Sequence, residues 1–393
     1  MKLKNIYISG LGVLLLAASC NPDDTTTPQP AGTPRVLDCF INSTTTLTDH
    51  NPGGIDYIVE CDVEIANGAN LAIEPGVIIE FRENASLWAM ETGTLSAVGT
   101  PDKPVVFRPA DGARWDGIVI KSANAQSTMN HCAIEAAGTG DITFSHVVAG
   151  FIKDYQSSLT VFGKASLNNI TIAGSKGMGL SLSTSCTPQL ANIKVSNCAL
   201  YPIYMYAGLL NSSVDLASCT FTTNNQQYIA LYSFSSNNVV DNPVDIKRTP
   251  VPYLATESLY FKHNTLIQAG VELAVDEELA LGIENAYMKI MGTASQPVTI
   301  RGKEAGAGYW YGLLVNSDLP ENVFDYLNIS GGGFGNLGHV APKTNIGVAD
   351  VQKASLTLNN CTSTYFNGCQ VSVSSTDGAL VNNSPSINIV CTH

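Results

Sequence analysis

Apolar and polar positions alternate over very short stretches of this chain, and the same stretch returns about every two dozen residues. The segments LNNITI (167–172), LANIKV (190–195) and LASCTF (216–221) begin 23 and 26 residues apart, and LNNCTS (358–363) repeats the form. Alternation with a period of two predicts β-strands. Strands of roughly two to five residues at this spacing predict a solenoid, in which each coil buries one side by stacking on the next.

A longer repeat relates two halves of the chain at an offset of about 195 residues. Residues 57–81 parallel 253–275, residues 99–107 parallel 292–300, and residues 129–138 parallel 324–333. Because both order and spacing are kept, the pattern indicates an internal duplication. The predicted halves cover about 36–245 and 246–393.

Other architectures fit the pattern less well. No helical periodicity of ten or more residues follows the N-terminal apolar run, which argues against an α/β fold. A sandwich or propeller would space its strands about 8 to 12 residues apart. Asparagines at equivalent places in successive coils can form ladders and tolerate a left-handed corner. The sequence therefore predicts an all-β protein, a right-handed single-stranded parallel β-helix built from two related halves.

The N-terminus has the features of an export signal followed by a tether. Two lysines precede an apolar run over residues 6–16, which is too short to span a membrane comfortably, and small residues at 17–19 lead directly to Cys20. Residues 20–35 are polar and rich in Thr and Pro, which predicts an extended linker. The signal, over 1–19, resembles that of a bacterial lipoprotein, in which Cys20 is acylated. A plain secretory peptide with a chance cysteine is the alternative.

A family resemblance extends over nearly all of residues 36–393. The succession VEIANGANLAIEPGVIIEF, GTPDKPVVF, WDGIVI and CAIEAAG resembles uncharacterised β-helix lipoproteins of Bacteroidetes-type bacteria, and Asp23 and Asp24 are similar to the export signal of their surface lipoproteins. The second half departs from the pattern, with Ala269 in place of Pro75 and Tyr311 in place of Asp116. The resemblance implies a lipid-anchored protein at the outer membrane or cell surface and implies no particular chemistry.

Charge excludes several classes of partner. Only 13% of the residues are charged, and the formal net charge is −13, or −15 without the two signal lysines. A protein this acidic repels nucleic acid and anionic lipid, so the lipid on Cys20 is the only predicted membrane contact. No Cys/His cluster has zinc spacing and the six histidines are scattered, so no metal or cofactor is predicted. The oligomeric state is left open.

The ten cysteines divide by their place in the coils. Three hold a column position that is Ile in other coils and are predicted to be buried thiols: Cys132, Cys219 and Cys361. Cys369 aligns with Met178 and is predicted to be buried in the same way. Cys39 and Cys61 lie 22 residues apart, about one coil, and stacked coils are close enough for a disulfide, so this pair is the disulfide candidate.

Two aromatic groups are candidate ligand-binding residues. Trp115 and Trp310 occupy equivalent Trp-x-Gly motifs, and such rings either bind sugars or cover a corner of the scaffold. Keeping the motif in both halves favours the scaffold. The second group, in YPIYMY (201–206) and YIALYSF (228–234), forms a flat strip for sugar rings if it points outward and an internal stack if it points inward. Its members are Tyr204, Tyr206, Tyr228 and Tyr232.

No catalytic residue is predicted. Many right-handed β-helices are polysaccharide lyases or glycoside hydrolases, which need clustered carboxylates with a base, or paired carboxylates. The polygalacturonase motifs are absent, the acidic run 276–278 is explained as a solvated loop, and Asp111, Arg114 and Asp116 are explained as a surface salt-bridge cluster. The favoured function is non-catalytic binding of polysaccharide or cell-surface glycan. A polysaccharide-active enzyme, and an adhesin or structural spacer with a protein partner, are the alternatives.

The longest insertion in the coil pattern separates Ile134 from Ile170, which lie 36 residues apart where a coil takes about 24. Loops inserted into a repetitive scaffold often build its functional site. This segment is therefore a further place to look for one.

Overall fold

The chain winds into a right-handed parallel β-helix, whose coils each contribute up to three short strands to sheets running along the solenoid. The computed structural model describes residues 32–139, 143–148, 151–211, 213–234, 237–337, 342–348, 353–376 and 378–393; of residues 143–148 and 151–155 the backbone alone is described. The predicted signal, tether and Cys20 lie outside the described residues. Among the described residues, no helix is long and apolar enough to cross a membrane.

The elements are short throughout, because each strand ends where the coil turns a corner. Those of the first half are β1 (Arg35–Val36), β2 (Phe40–Ile41), β3 (Thr45–Leu47), β4 (Tyr57–Val59), β5 (Asp62–Ile65), β6 (Asn70–Ile73), β7 (Ile78–Phe81), β8 (Ser86–Ala89), β9 (Thr94–Val98), β10 (Val105–Pro109), β11 (Gly117–Ile120), β12 (Ser127–Glu135), β13 (Thr143–Val148), β14 (Phe151–Val161), β15 (Lys164–Ala173), β16 (Met178–Leu182), β17 (Thr187–Ala191), β18 (Lys194–Ser196), β19 (Ile203–Tyr206), the 3-10 helix η1 (Ala207–Leu209) and β20 (Thr220–Thr222).

The remaining strands run from the junction of the halves to the C-terminus. They are β21 (Ile229–Tyr232), β22 (Val239–Val240), β23 (Val244–Ile246), β24 (Tyr253–Ala255), β25 (Leu259–Phe261), β26 (Thr265–Gln268), β27 (Glu272–Val275), β28 (Ala280–Glu284), β29 (Met288–Met291), β30 (Val298–Gly302), β31 (Gly312–Asn316), β32 (Val323–Asp325), β33 (Leu327–Ser330), β34 (Thr344–Val348), β35 (Ser355–Asn359), β36 (Thr362–Thr364), β37 (Cys369–Val373), β38 (Ala379–Asn383) and β39 (Val390–Thr392).

Four sheets are described. Sheet I has 12 strands and ends at β20, with β12 and β15 bending round a corner to join two of its faces. Sheet II has 14 strands and runs from β2 to β36. Sheet III (β22-β25-β28-β31-β34-β37-β39) and sheet IV (β23-β26-β29-β32-β35-β38) begin only at the junction. Within the described part of the chain, sheet II is therefore the one sheet that both halves share.

Equivalent strands of the two halves lie on different faces of the solenoid, so the second half is rotated by one face about the solenoid axis relative to the first. The repeat matches β4 with β24, yet β4 lies in sheet I whereas β24 pairs with β21 in sheet II. In the same way β11 lies in sheet II and its counterpart β31 lies in sheet III. The duplicated segments therefore keep their local structure but join a different sheet. Sheets III and IV begin at Val239 and Val244, close to the boundary predicted near residue 245.

The core consists of columns of apolar side chains at matching positions of successive coils. One column follows sheet II through Leu180, Ile203, Ile229, Tyr253 and Leu273, all at most 1% exposed. Burial of each such side chain contributes about 1.5–3 kcal/mol. Because the strands are in register, a residue type that fits one coil also packs on its neighbours.

Asparagine ladders mark one corner of the coil, as predicted. His131, Asn169 and Asn192 occupy this corner in successive coils, with positive φ angles of 50°, 53° and 56°. The amide of Asn169 donates to Oδ1 of Asn130 at 3.0 Å, and that of Asn192 donates to Oδ1 of Asn168 at 3.2 Å. The polar side chains thus hold together a corner whose backbone is unfavourable for most residues.

Disulfides fasten the coil at each described end of the solenoid. Cys39 is bonded to Cys61, with Cα atoms 5.9 Å apart, and Cys369 is bonded to Cys391, with Cα atoms 6.1 Å apart. The second bond corrects the prediction that Cys369 is a core thiol. Its partner lies 22 residues further on, the same one-coil separation as in the first pair. The five free cysteines of the described residues, Cys132, Cys186, Cys198, Cys219 and Cys361, are all buried.

The insertion between Ile134 and Ile170 forms a β-hairpin. Strand β13 pairs antiparallel with the first part of β14, and the second part of β14 enters sheet II between β11 and β16. The antiparallel pairing covers 151–156 of β14, and the parallel pairing within sheet II begins directly after it, at Ser157. The side chains of 143–148 and 151–155 lie outside the described part of the chain, so the expectation that this insertion builds a site stays a prediction.

Candidate functional site

The two tryptophans of the Trp-x-Gly motifs are internal. Trp115 and Trp310 are 0% exposed. Each indole N–H donates at 2.8 Å to a backbone carbonyl 20 residues further on, that of Glu135 and that of Ser330 respectively. Trp115 also stacks on Phe81, with ring centroids 4.1 Å apart. Neither ring is accessible to a ligand, which corrects their candidacy as binding residues and favours the scaffold interpretation.

Three of the four candidate tyrosines are buried as well. Tyr204 and Tyr232 are 0% exposed and stack with centroids 4.8 Å apart, and Tyr206 is 2% exposed. The Tyr232 hydroxyl donates to the carbonyl of Leu182 at 2.9 Å, and the Tyr206 hydroxyl accepts from the backbone N–H of Asp241 at 2.7 Å. In register Tyr204 faces Ala230 and Tyr206 faces Tyr232, so the stacked rings of Tyr204 and Tyr232 are offset by two positions across neighbouring coils. These three residues do not form a surface strip.

Tyr228 is the exception, being half-buried at the edge of sheet II. Burial alone would lower the pKa of Arg301, but hydrogen bonds with Tyr228 and Glu272 raise it on balance. The Arg301 guanidinium lies 2.8 Å from the Glu272 carboxylate. Tyr228 therefore belongs to a surface network of paired charges and not to a row of rings.

An aromatic cluster does lie on the outside of the solenoid, at residues that the sequence did not single out. Tyr260 and Tyr311 pack on a small apolar cluster that is separate from the main core, and Phe334 lies against Tyr311. The Tyr311 and Phe334 centroids are 5.2 Å apart at 73°. We call Tyr260, Tyr311 and Phe334 the outer aromatic cluster. Its floor is Ala280, Leu314 and Leu337.

Strand alternation turns this cluster outward. In β31 the neighbours of Leu314, Leu313 and Val315, belong to the main core, so Leu314 itself points away from it. Its register partner is Gly282, and Tyr260 is the next partner along the sheet. A Cβ on Gly282 would lie 2.7 Å from the Tyr260 ring. The Tyr260 ring therefore lies directly against the Gly282 backbone, where a side chain would displace it.

The third ring is held by a glycine-rich loop. Residues 331–334 follow β33, and the backbone N–H of Phe334 donates to the carbonyl of Trp310 at 3.0 Å. Asn345, 0% exposed, accepts from the Gly332 N–H at 2.6 Å and donates to Ser363 Oγ at 2.9 Å. Buried polar anchors of this kind fix a loop in one position. Phe334 is 37% exposed and is thus presented on a rigid support.

Polar groups border the outer aromatic cluster. Lys262 and Glu284 form an ion pair, two positions along the strands from Tyr260 and Gly282 and hence about 7 Å away. Burial raises the pKa of Tyr260, and the neighbouring Tyr311 raises it further, so its hydroxyl remains a donor at neutral pH. The surface therefore combines flat apolar rings with donors and acceptors whose charges cancel.

A second concave feature lies where the two halves meet. It is a cleft of about 570 Å³ whose walls include η1, β17 and the turn between β22 and β23. A shallower groove of about 380 Å³ shares Gln189 and Ser213 with it. We call the larger feature the junction cleft. Its size is typical of small-molecule sites.

Metal-ligating side chains do not cluster among the described residues. No group of three or more His, Cys, Asp or Glu side chains among them is placed to hold a metal ion. Asp276, the first residue of the acidic run, is shared between Lys303 Nζ at 3.2 Å and the Tyr309 hydroxyl at 3.1 Å. Burial lowers the pKa of Lys303, but Asp276 raises it on balance, so this amine is a poor base.

A sequence signal for the outer aromatic cluster was available but ambiguous. Tyr311 replaces the buried Asp116 of the first half, which marks the one place where the duplicated Trp-x-Gly motif changes polarity. Phe334 follows three consecutive glycines, which is an unusual setting for a core residue. Tyr260 carried no signal, because its outward direction depends on which residues of β25 face the core.

Comparison with known proteins agrees with the fold and adds no ligand. The family model described as "Right handed beta helix region" matches residues 111–266. No curated protein and no solved structure matches the chain. The chain is therefore a parallel β-helix protein whose function has to be argued from its own surface.

Proposed function

We propose that this protein is a non-catalytic, surface-anchored β-helix that binds neutral polysaccharide through the outer aromatic cluster. The observation that carries the proposal is the position of Tyr260, Tyr311 and Phe334 on the outside of sheet III, beside the Lys262–Glu284 ion pair. Binding sites for small ligands join apolar and aromatic surface with a few fixed polar groups. Sugar rings have apolar faces and hydroxyl rims, which match those two parts.

The charge of the surroundings favours uncharged glycans. Lys262, beside the cluster, and Arg301, in sheet II, are both engaged by carboxylates. The whole chain is strongly acidic. An anionic polymer would therefore be repelled at long range and would find no unpaired cation in these two networks.

Anchoring at the cell surface is the second part of the proposal. It rests on the resemblance of residues 1–20 to a lipoprotein signal, and the two disulfides support it, because such bonds persist in oxidising compartments outside the cytosol. In the producing bacterium, labelled palmitate should enter the wild-type protein and fail to enter a Cys20→Ala variant. Equal labelling of both would contradict lipidation at Cys20.

Affinity electrophoresis tests the glycan proposal. The soluble form, residues 21–393, should be retarded by at least one neutral polysaccharide, and the polymer should keep its length. Tyr260→Ala and Phe334→Ala should each weaken retardation about tenfold, whereas Phe40→Ala, which removes a ring that is 63% exposed at the N-terminal end of the solenoid, should not. Shortened polymer would show an enzyme. Unchanged retardation of both cluster variants would contradict the assigned site.

One observation favours a spacer or adhesin with a protein partner. The last strands carry exposed apolar residues, with Val381 of β38 at 54% and Val390 of β39 at 41%, and Ile389, just before β39, is 45% exposed. An exposed strand edge can accept a strand from another protein. Absence of glycan binding, together with a defined oligomer that Val381→Lys abolishes, would favour this alternative.

A further inference from the structure

We infer that the junction cleft is a second glycan-binding site, one that takes an uncharged oligosaccharide segment by hydrogen bonds instead of ring stacking. The inference rests on the proposed function for its ligand class. It names a different site and a different mode of recognition. Three observations support it: the cleft lies where the two halves meet, its lining is polar and almost uncharged, and it continues into a neighbouring groove.

The cleft arises because the second half is rotated by one face about the solenoid axis relative to the first. Beyond β17, this part of sheet I continues among the described residues only as the bridge between Leu190 and Val214. Sheet IV starts below it with β23, and the N–H of Asp245 donates to the carbonyl of Leu210 at 2.9 Å. Pro188 and Pro243, which line the cleft, lack the N–H that a continuing ladder would need. The cleft thus lies at a break in the repeat.

Its lining is almost free of charge. Of the side chains that line it, Lys164 alone is ionisable apart from the Cys186 thiol, and burial raises the pKa of that thiol to about 12. The others that reach the cleft are mainly amides and hydroxyls, namely Gln126, Gln189, Asn211, Asn242, Thr187 and Ser213. Amides and hydroxyls both donate and accept hydrogen bonds. A divalent cation would lack carboxylate ligands here, and an apolar ligand would leave these groups unpaired.

Several of these groups are free for a ligand. The side chains of Thr187, Asn242 and Lys164 are exposed and make no hydrogen bond within the described part of the chain. The bond between Gln126 and Gln189 is long, at 3.4 Å, and leaves donors and acceptors on both amides. Neighbouring hydroxyls of a sugar can each donate and accept a hydrogen bond. They therefore complement this lining better than a ligand that carries acceptors alone.

The cleft also has room for more than one sugar. It continues into the groove of about 380 Å³ along β15 and β17, which adds Ser166 and Asn168 to the hydrogen-bonding lining, and also Asp215, whose carboxylate accepts from the backbone N–H groups of Ala217 and Ser218. A linear chain can therefore pass from the groove into the cleft. The buried helix η1 ends the path, and a chain end or a bend is the expected occupant there.

Calorimetric titration with a panel of neutral hexasaccharides of glucan, mannan and xylan type tests the inference. Wild type should show two binding sites for one of them. The double variant Gln189→Ala/Asn242→Ala should weaken the cleft site about tenfold or more, because it removes two hydrogen-bonding groups. The cleft-filling variant Ser213→Trp should remove that site. A matched control, Thr222→Ala/Asn225→Ala, alters exposed residues outside the cleft and should change the affinity less than about twofold.

The outcomes separate the two proposals. If both cleft variants bind like wild type while Tyr260→Ala loses binding, the inference is overturned and the proposed function stands. If the cleft variants lose binding while Tyr260→Ala and Phe334→Ala keep it, the cleft is the site and the outer aromatic cluster is not. If wild type binds none of the hexasaccharides, both are overturned. Ligand-induced protection of backbone amides at 207–211 from hydrogen exchange should accompany cleft binding and be absent in Ser213→Trp.

Discussion

The indole N–H of Trp115 donates to the backbone carbonyl of Glu135 at 2.8 Å, across one coil of the solenoid. The second half repeats this bond between Trp310 and Ser330, also at 2.8 Å, although the two tryptophans precede strands of different sheets. The bond therefore belongs to the duplicated segment and not to its place in the solenoid. It fastens the long corner before β11 and β31 to the strand of the next coil.

Replacing either tryptophan by phenylalanine should destabilise the fold without altering glycan binding. The substitution keeps a large ring but leaves a buried carbonyl without its donor, at a cost of about 1–3 kcal/mol. Urea denaturation of Trp115→Phe and Trp310→Phe measures this. Phe40→Ala, at a ring that is 63% exposed, should lie within about 0.5 kcal/mol of wild type. Loss of binding with unchanged stability would instead assign the tryptophans a ligand role.

The fold could be predicted from the sequence because every coil buries equivalent positions against the same positions of the next coil. Residues at matching positions are in register, so spacings of 23 and 26 residues indicate stacked strands directly. The column containing Ile170 and Cys132 likewise predicted a buried thiol, and Cys132 is 2% exposed. The Asn ladder followed from the same columns.

The directions of side chains at the junction and on the surface did not follow from the repeat. A period of two says that neighbours point to opposite sides and does not say which side is covered. Tyr204 and Tyr260 therefore had equivalent patterns, yet Tyr204 is completely buried and Tyr260 belongs to the outer aromatic cluster. The turn of one face between the halves depends on long-range packing. It could not be read from local alternation, and the junction cleft depends on it.

The corner residue Asn192 should tolerate glycine better than alanine. Its φ is 56°, a region that costs an L-residue other than Asn, Asp or Gly about 1–2 kcal/mol. Asn192→Ala should lose about that amount, and Asn192→Gly considerably less. Asn168→Ala removes the acceptor of the ladder bond without a left-handed backbone, so it isolates the contribution of the side chain. Equal losses for Asn192→Ala and Asn192→Gly would show that the ladder, and not the backbone, stabilises this corner.

Removing the first disulfide should loosen the first coil and spare the rest. The bond between Cys39 and Cys61 closes a loop of 22 residues, which corresponds to about 3 kcal/mol in the chain-entropy account. In a solenoid each coil contacts only its neighbours, so the loss stays local. In Cys39→Ala/Cys61→Ala, amide exchange should accelerate over 35–47 and remain unchanged beyond β10. Unaltered protection of 35–47 would mean that packing alone holds this coil.

Stability should fall steeply under alkaline conditions because the free thiols are buried. Burial raises the pKa of Cys132, Cys186 and Cys198 from an ordinary 9.0 to about 12. Between those values the unfolded chain releases these protons and the folded chain retains them, so raising the pH favours unfolding. Each such thiol contributes a decrease of up to about 1.4 kcal/mol per pH unit. Urea denaturation at intervals from pH 8 to about 11 measures the slope.

The Cys132→Val variant separates the thiol contribution from other alkaline effects. Valine suits the position because the neighbouring coil carries Ile170 in the same column, so the variant should fold. Above about pH 9 its free energy of unfolding should fall less steeply with pH, because the contribution of one thiol is removed. The slope should not vanish, since the other buried thiols and the buried tyrosines still contribute. Below pH 8 the stability of the variant and of wild type should change with pH in parallel, because the Cys132 thiol is protonated there in both the folded and the unfolded chain. Identical slopes above pH 9 would show that Cys132 ionises equally in the folded and unfolded chains and is therefore reached by solvent.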